Sequence, residues 1–226
     1  MKNIKGDFLF VCVLLIWILV LSVPSSRTAF LAVTGAHPYF GGFLKFSILA
    51  TMGDLLGARI IKGKWIIPKG FIFKAMLWGF IGMAITLLFT IFTEGSAAAQ
   101  ASGKLPFAGS KIAKAFFGSA AMNLTFGPML YIYHKFGDLF IDFKYERKGQ
   151  KVKIADYVDS IDWHTMVSFS WLITCPLIWI PCHTLVFLLP EEYRVLASAA
   201  LSILLGTIVA FSKKRSTKAD SPTTTS

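Results

Sequence analysis

The apolar positions of this chain fall in long unbroken blocks. Phe8 to Pro24, Ala75 to Thr93, Ala115 to Tyr133, Trp163 to Pro190 and Val195 to Ser212 contain no Asp, Glu, Lys or Arg. About 20 apolar residues cross a bilayer as a helix. Backbone groups find no water in lipid, so helices and closed barrels are the only spanning structures. Barrel strands would be shorter and would alternate in polarity. The blocks therefore predict spans over 8–24, 75–93, 115–133, about 163–189 and 195–212. A further span is predicted at about Phe43 to Ile61, although it carries Lys45 and Asp54. The expected fold is all-α: a polytopic integral membrane bundle of about six transmembrane helices. It forms one domain over 1–212, followed by a disordered tail over 213–226.

The segments between blocks predict lesser elements. Thr28 to Gly42 is apolar but holds Gly35, Pro38, Gly41 and Gly42, which suggests a loop or a short interfacial helix. Gly95 to Ser110, rich in Gly, Ala and Ser, reads as a mobile external linker. In Tyr145 to Thr165, Ile154, Tyr157, Val158 and Ile161 recur at helical spacing, which predicts an amphipathic helix on the headgroups. The first block is open to two readings. It is a retained helix, or a signal peptide cleaved near Val23 and Ser25.

Composition agrees with a membrane protein. Of 226 residues, 55% are apolar and 15% charged, against about 45–50% and 25% in soluble domains. The net charge of +11 does not point to nucleic acid, because the basic residues lie between blocks and at the ends. With the N-terminus in the cytoplasm, 17 of the 23 Lys and Arg fall on the inner side. That satisfies the positive-inside rule at every loop, with both termini cytoplasmic. Cys12, Cys175 and Cys182 all lie within blocks. Cys175 and Cys182 share a helix face ~10 Å apart, too far for a disulfide, and read as packing residues.

Small residues let membrane helices approach. Gly53 and Gly57 form such a face on the second span. Gly79 and Gly82, Gly118 to Ala121, and Ser198, Ser202 and Gly206 form others. Pro128, Pro176 and Pro181 predict bends. A bend in the fifth span between Pro176 and Pro181 either shapes packing or lines a path.

The polar residues inside blocks are the candidates for chemistry. Asp54 falls ~17 Å into its span, near the midplane, where a charge costs roughly 2.5–3.5 kcal/mol. It either faces an internal path or ties helices together. Asn123 needs a partner in mid-span. His183 faces a cavity or bonds to a neighbouring helix. Lys45 and Lys74 stand near span ends and read as interfacial anchors whose side chains reach the headgroups. Asp156, Asp159 and Asp162 share a face, either simply solvated or holding a divalent ion with lipid phosphate. No phosphate loop, His-Glu-x-x-His or Gly-x-Ser-x-Gly occurs. The expectation is therefore no enzyme, no cofactor and no metal.

Several short motifs carry a family resemblance. They are His37-Pro38, Gly53-Asp54, Trp78-Gly79 with Gly82, Asp162-Trp163, Pro176, and Pro190, Tyr193 and Arg194 in LPEEYR. Over His37 to Ser212 the chain resembles the small membrane proteins of peroxisomes and the mitochondrial inner membrane typified by the twenty-two-kilodalton peroxisomal membrane protein. It departs from them in lacking a Trp-Pro pair and an Asn-Phe in the fifth span, which here reads TCPLIWIPCHTLVF, and in adding an N-terminal span. The resemblance implies a helical membrane protein linked to pores and small-metabolite movement. The charge pattern and the lack of a Ser/Arg-rich transit peptide suggest a bacterial inner membrane, with an organelle membrane (peroxisomal or mitochondrial inner) as the alternative. The expected function is a small-solute channel or transporter with Asp54, Asn123 and His183 on its path. The alternative is a non-transporting scaffold or assembly protein, and a lipid-modifying enzyme is the least supported. The expected partners are the lipid bilayer and a small solute, with a homo-oligomer open and no nucleic acid.

Overall fold

Prolines and glycines divide the chain more sharply than its hydropathy does. The computed structural model describes residues 2–147 and 150–219, and these are helical, without strands. Helix α1 (Lys2–Ser22) ends in a bend at Val23, and Pro24 opens α2 (Pro24–Ala36). His37, at φ −134°, separates α2 from α3 (Pro38–Lys62), which again starts on a proline. Proline suits a first helical position because its missing N–H has no partner there anyway. The segment expected as a loop or short helix over 28–42 is thus helix broken only at His37, and α3 begins five residues ahead of Phe43. Gly63 and Gly70 (φ +71° and +73°) bound the turn into the next helix.

Helix α4 (Phe71–Ala101) and α5 (Lys111–Glu146) outrun the blocks that predicted them. The expected mobile linker over 95–110 is corrected by this. Its first half continues α4, with Ser96 and Gln100 buried. Gln100 Nε2 donates to the carbonyls of Pro106 and Phe107 at 3.1 and 2.9 Å, and Ser96 Oγ to that of Lys114 at 3.0 Å. Alanine-rich sequence propagates helix, and one glutamine closes the turn.

The expected amphipathic helix is also shorter than predicted. It is one short element, α6 (Ile154–Asp159), followed after a break by the single turn α7 (Trp163–Thr165). Tyr157 stacks on Phe143 of α5 at 5.2 Å, and Ile161 is buried, whereas Ile154 is exposed. Half of the predicted apolar face therefore docks on α5. Two of the three aspartates, Asp156 and Asp162, serve as caps. Asp156 accepts from the Lys153 N–H at 2.7 Å and pairs with Arg147. Asp162 caps α7, where hydrogen bonds from Thr165 hold its carboxyl below the usual carboxylate range.

The fifth block does not break at its prolines. It winds as a wide π-helix over Met166–Trp179 and returns to α-helix at Ile180 in α8 (Ile180–Leu188). Both prolines lack an N–H, and between them, at Ile180, the winding changes from π to α. π-turns are rare and usually single, so a 14-residue run is unusual. Helix α9 (Glu191–Ala219) passes the expected boundary at Ser212. Of the tail expected to be disordered, residues 220–226 lie outside the described residues.

Three of these helical segments are long and apolar enough to cross a membrane: Asn3–Ser22, Phe71–Ala101 and Trp163–Leu188. Helix α3 packs between α4 and α9. Its glycines set the separations. A Cβ on Gly42 would lie 2.7 Å from the Gly82 carbonyl oxygen, and one on Gly53 2.9 Å from that of Ser202. Gly57 faces Gly206. The core lies where these helices meet, around Phe46, Leu49, Ala50, Ile85, Phe89 and Ala199.

Side-chain bonds fix which ends lie together. Asn3 Nδ2 donates to the Gly63 carbonyl, and Asp7 accepts from Trp65 Nε1 at 2.7 Å and pairs with Arg59. Lys74 pairs with Asp138 and Asp142. The N-terminus, the α3–α4 turn and the lower half of α5 therefore share one end of the bundle, the basic end.

Candidate functional site

A cavity of about 120 Å³ lies inside the bundle, walled by α3, α4, α5, α8 and α9 and by the π-helix. Most of its wall is aromatic or aliphatic, and its polar groups are few and converge, as in small-molecule sites generally. Asn123 Nδ2 donates to the Ser119 carbonyl at 2.8 Å, which fixes the amide so that Oδ1 turns to His183 Nδ1 at 3.2 Å. An amide oxygen only accepts, so His183 carries a proton on Nδ1. Its Nε2 then faces Ser198 Oγ, also at 3.2 Å. The neutral imidazole meets both contacts, accepting from the Ser198 hydroxyl. The His183 ring stacks on Trp179 at 5.2 Å and meets Phe89 edge-on.

A second chain of hydrogen bonds runs along the same wall. Thr174 Oγ1 donates to the Ser170 carbonyl at 2.6 Å, so the Tyr131 hydroxyl donates to Thr174 at 2.9 Å. Trp179 Nε1 donates to Tyr131 at 2.8 Å. Ser119 Oγ reaches the Ile180 carbonyl at 2.8 Å, across the point where the winding changes. Toward the basic end the cavity closes on Trp78 and His134, whose rings lie 4.1 Å apart. His134 Nε2 is buried without a hydrogen-bond partner, its nearest carboxylate being Asp138 at 3.9 Å.

Asp54 is not part of this wall. Of the three intramembrane candidates, the structure brings Asn123 and His183 together and leaves Asp54 outside. Because α3 starts at Pro38, Asp54 sits ~24 Å from its start and ~12 Å from its end, displaced from the expected midplane toward the basic end. Its side chain is exposed on the protein surface, and Oδ2 accepts from Trp78 Nε1 at 2.7 Å. His134, Asp138 and Lys74 stand within electrostatic reach. Asp54 reaches the cavity wall through its hydrogen bond to Trp78, whose indole lines the space beside His134.

Neither lysine is an anchor reaching outward. Lys74 lies between Asp138 at 3.2 Å and Asp142 at 2.9 Å. Lys45 is 2% exposed, folded under α2, with Nζ 3.2 Å from Thr34 Oγ1 and 4.8 Å from the Phe30 ring centre. The family-like residues come from opposite ends of the sequence and gather at the end of the bundle away from the basic one. His37 forms the α2–α3 break, with Pro38 behind it. Pro190 accepts from the Tyr193 N–H and precedes α9, and Arg194 Nε donates to the Leu189 carbonyl at 3.0 Å. Pro38 and Arg194 line one recess there, and Pro190 and Arg194 another.

Tyr131, Thr174, Trp179 and the inward role of Ser198 were not legible as site residues. Each is an ordinary span residue in sequence, and only the packing of α5 on the π-helix and α8 aligns them. No protein-family model, curated protein or solved structure matches this chain.

Proposed function

We propose that the chain is a six-span membrane protein with both termini in the cytoplasm, and that it passes a small solute through the central cavity. The observation that carries this is the cavity itself. An apolar bundle encloses a space with Asn123, His183, Ser198 and Ser202 turned into it, and irregular backbone at membrane depth is tolerated where it lines such a space. Trp179, the last residue of the π-helix, forms part of that wall. Joining the N-terminus to the α3–α4 turn agrees with the placement that the basic residues favour. The family resemblance points the same way, and a bacterial inner membrane is the proposed location.

Stopped-flow swelling of proteoliposomes in glycerol and urea tests the reading. Wild-type protein should speed solute entry over empty liposomes. Gly127→Leu, which fills the cavity beside Cys175 and Asn123, should return it to background. Wild-type rates equal to those of empty liposomes would overturn it.

One observation favours a non-transporting scaffold as second reading. Asn123, His183 and Ser198 satisfy one another, as polar groups that join membrane helices do. Under that reading Gly127→Leu alters assembly or stability and wild-type liposomes show no added flux.

A further inference from the structure

At the end of the bundle opposite the basic one, α2, α3, α4 and α9 enclose a recess of about 370 Å³, within the range of roughly 300–1,000 Å³ usual for small-molecule sites. Two charges facing it lack a counter-ion. Lys45 is 2% exposed, and no carboxylate among the described residues lies within 4.0 Å of it. An ammonium has three protons to donate, and one hydrogen bond, to Thr34 Oγ1, is formed. A buried charge without a counter-charge is costly to a fold, and the cost is met when a ligand brings the anion. Glu192, on the α9 side of the recess, likewise makes no ion pair among the described residues. The other two charges are spent on each other, Arg194 Nη1 lying 3.6 Å from Glu191 Oε1.

We propose that this recess binds a small zwitterion of the amino-acid class, its carboxylate on Lys45 and Thr34 and its ammonium toward Glu192. The charges left over are one of each sign, which selects the ligand. A simple amine would meet Lys45 as a like charge. A dicarboxylate would bring a second negative charge against Glu191 and Glu192. A monocarboxylate satisfies Lys45 alone. Gly35 lines the recess, and a Cβ there would meet nothing within 4 Å, so a larger side chain has room to enter.

Thermal unfolding of the full chain in nanodiscs, titrated separately with L-alanine, propionate, propylamine and succinate, tests this. A ligand that binds only the folded state raises Tm with its concentration. L-Alanine should raise Tm saturably, propionate should do so with about tenfold weaker apparent affinity, and propylamine and succinate should not. Lys45→Met should abolish the L-alanine shift, and Glu192→Gln should reduce it to that of propionate. Gly35→Phe fills the recess with Lys45 intact and should abolish it as well, which keeps the test decisive if Lys45→Met does not fold. No L-alanine shift in wild type, a shift that survives either blocking variant, or succinate as effective as L-alanine would overturn the proposal. Binding in nanodiscs needs no conduction, so a Tm shift without liposome flux would sink the transport reading alone, and flux without a shift would sink this site alone.

Discussion

Lys45 and Lys74 look alike in sequence, each a lysine near the end of an apolar stretch, yet the two ends of the bundle treat them differently. At the basic end Lys74 is clasped by Asp138 and Asp142, one turn apart on α5. At the other end Lys45 is more deeply buried and has a threonine and a phenyl ring for company. One end has the organisation of a fastening, in which each charge is answered from within the chain. The other leaves charges for something else to answer. The position of a lysine along a helix does not distinguish these cases, because the counter-charge comes from a distant helix.

The largest expected difference is between removing the two charges. Lys74→Met leaves two carboxylates facing each other and should lower stability by about 1–3 kcal/mol, between the values for exposed and buried pairs. Lys45→Met removes a buried charge that has no carboxylate partner and should leave stability without ligand within about 1 kcal/mol of wild type or above it. Denaturation of both variants in the same detergent checks the contrast. Equal losses would erase the distinction between the two ends.

A smaller effect is expected at Asp54, the outlying member of the basic end. Asp54→Asn keeps an acceptor for Trp78 Nε1 and should cost less than about 1 kcal/mol. Asp54→Leu loses the hydrogen bond and should cost about 1 kcal/mol. If Asp54 also serves transport through Trp78 and His134, the Asn variant should fold normally and lose flux or its pH dependence. A Leu variant with unchanged stability and unchanged flux would leave Asp54 with neither role.

Much of the architecture was legible where physics is local. Long uncharged blocks announced helices, whereas Pro24 and Pro38, read as a span end and a loop residue, open α2 and α3. What failed had tertiary causes. The linker over 95–110 looked loose because its composition is small and polar, and a single buried glutamine, Gln100, orders its turn. The prolines at 176 and 181 flank a change from π to α winding, which their own chemistry does not specify. Asn123 and His183 stood out in sequence as polar residues in apolar surroundings, and they do meet. Asp54 stood out most and lies outside the cavity, exposed and bonded to Trp78, a partner that a separate helix supplies. Tyr131 and Trp179 carry no signal in sequence, since an aromatic in a span is ordinary until a partner hydroxyl is placed beside it.

The central claim is that the cavity between Asn123, His183 and Ser202 is reached by water-borne solutes rather than sealed as packing space. Its most direct test is thiol reactivity. With Cys12, Cys175 and Cys182 replaced by alanine, a Ser202→Cys protein in proteoliposomes is treated with silver ion, a small thiophilic cation, and the remaining thiol is counted. The account predicts that Cys introduced at 202 is consumed, and that adding Gly127→Leu protects it. A thiol at 202 that stays unreacted, while one introduced at exposed Ser102 is consumed, would contradict it.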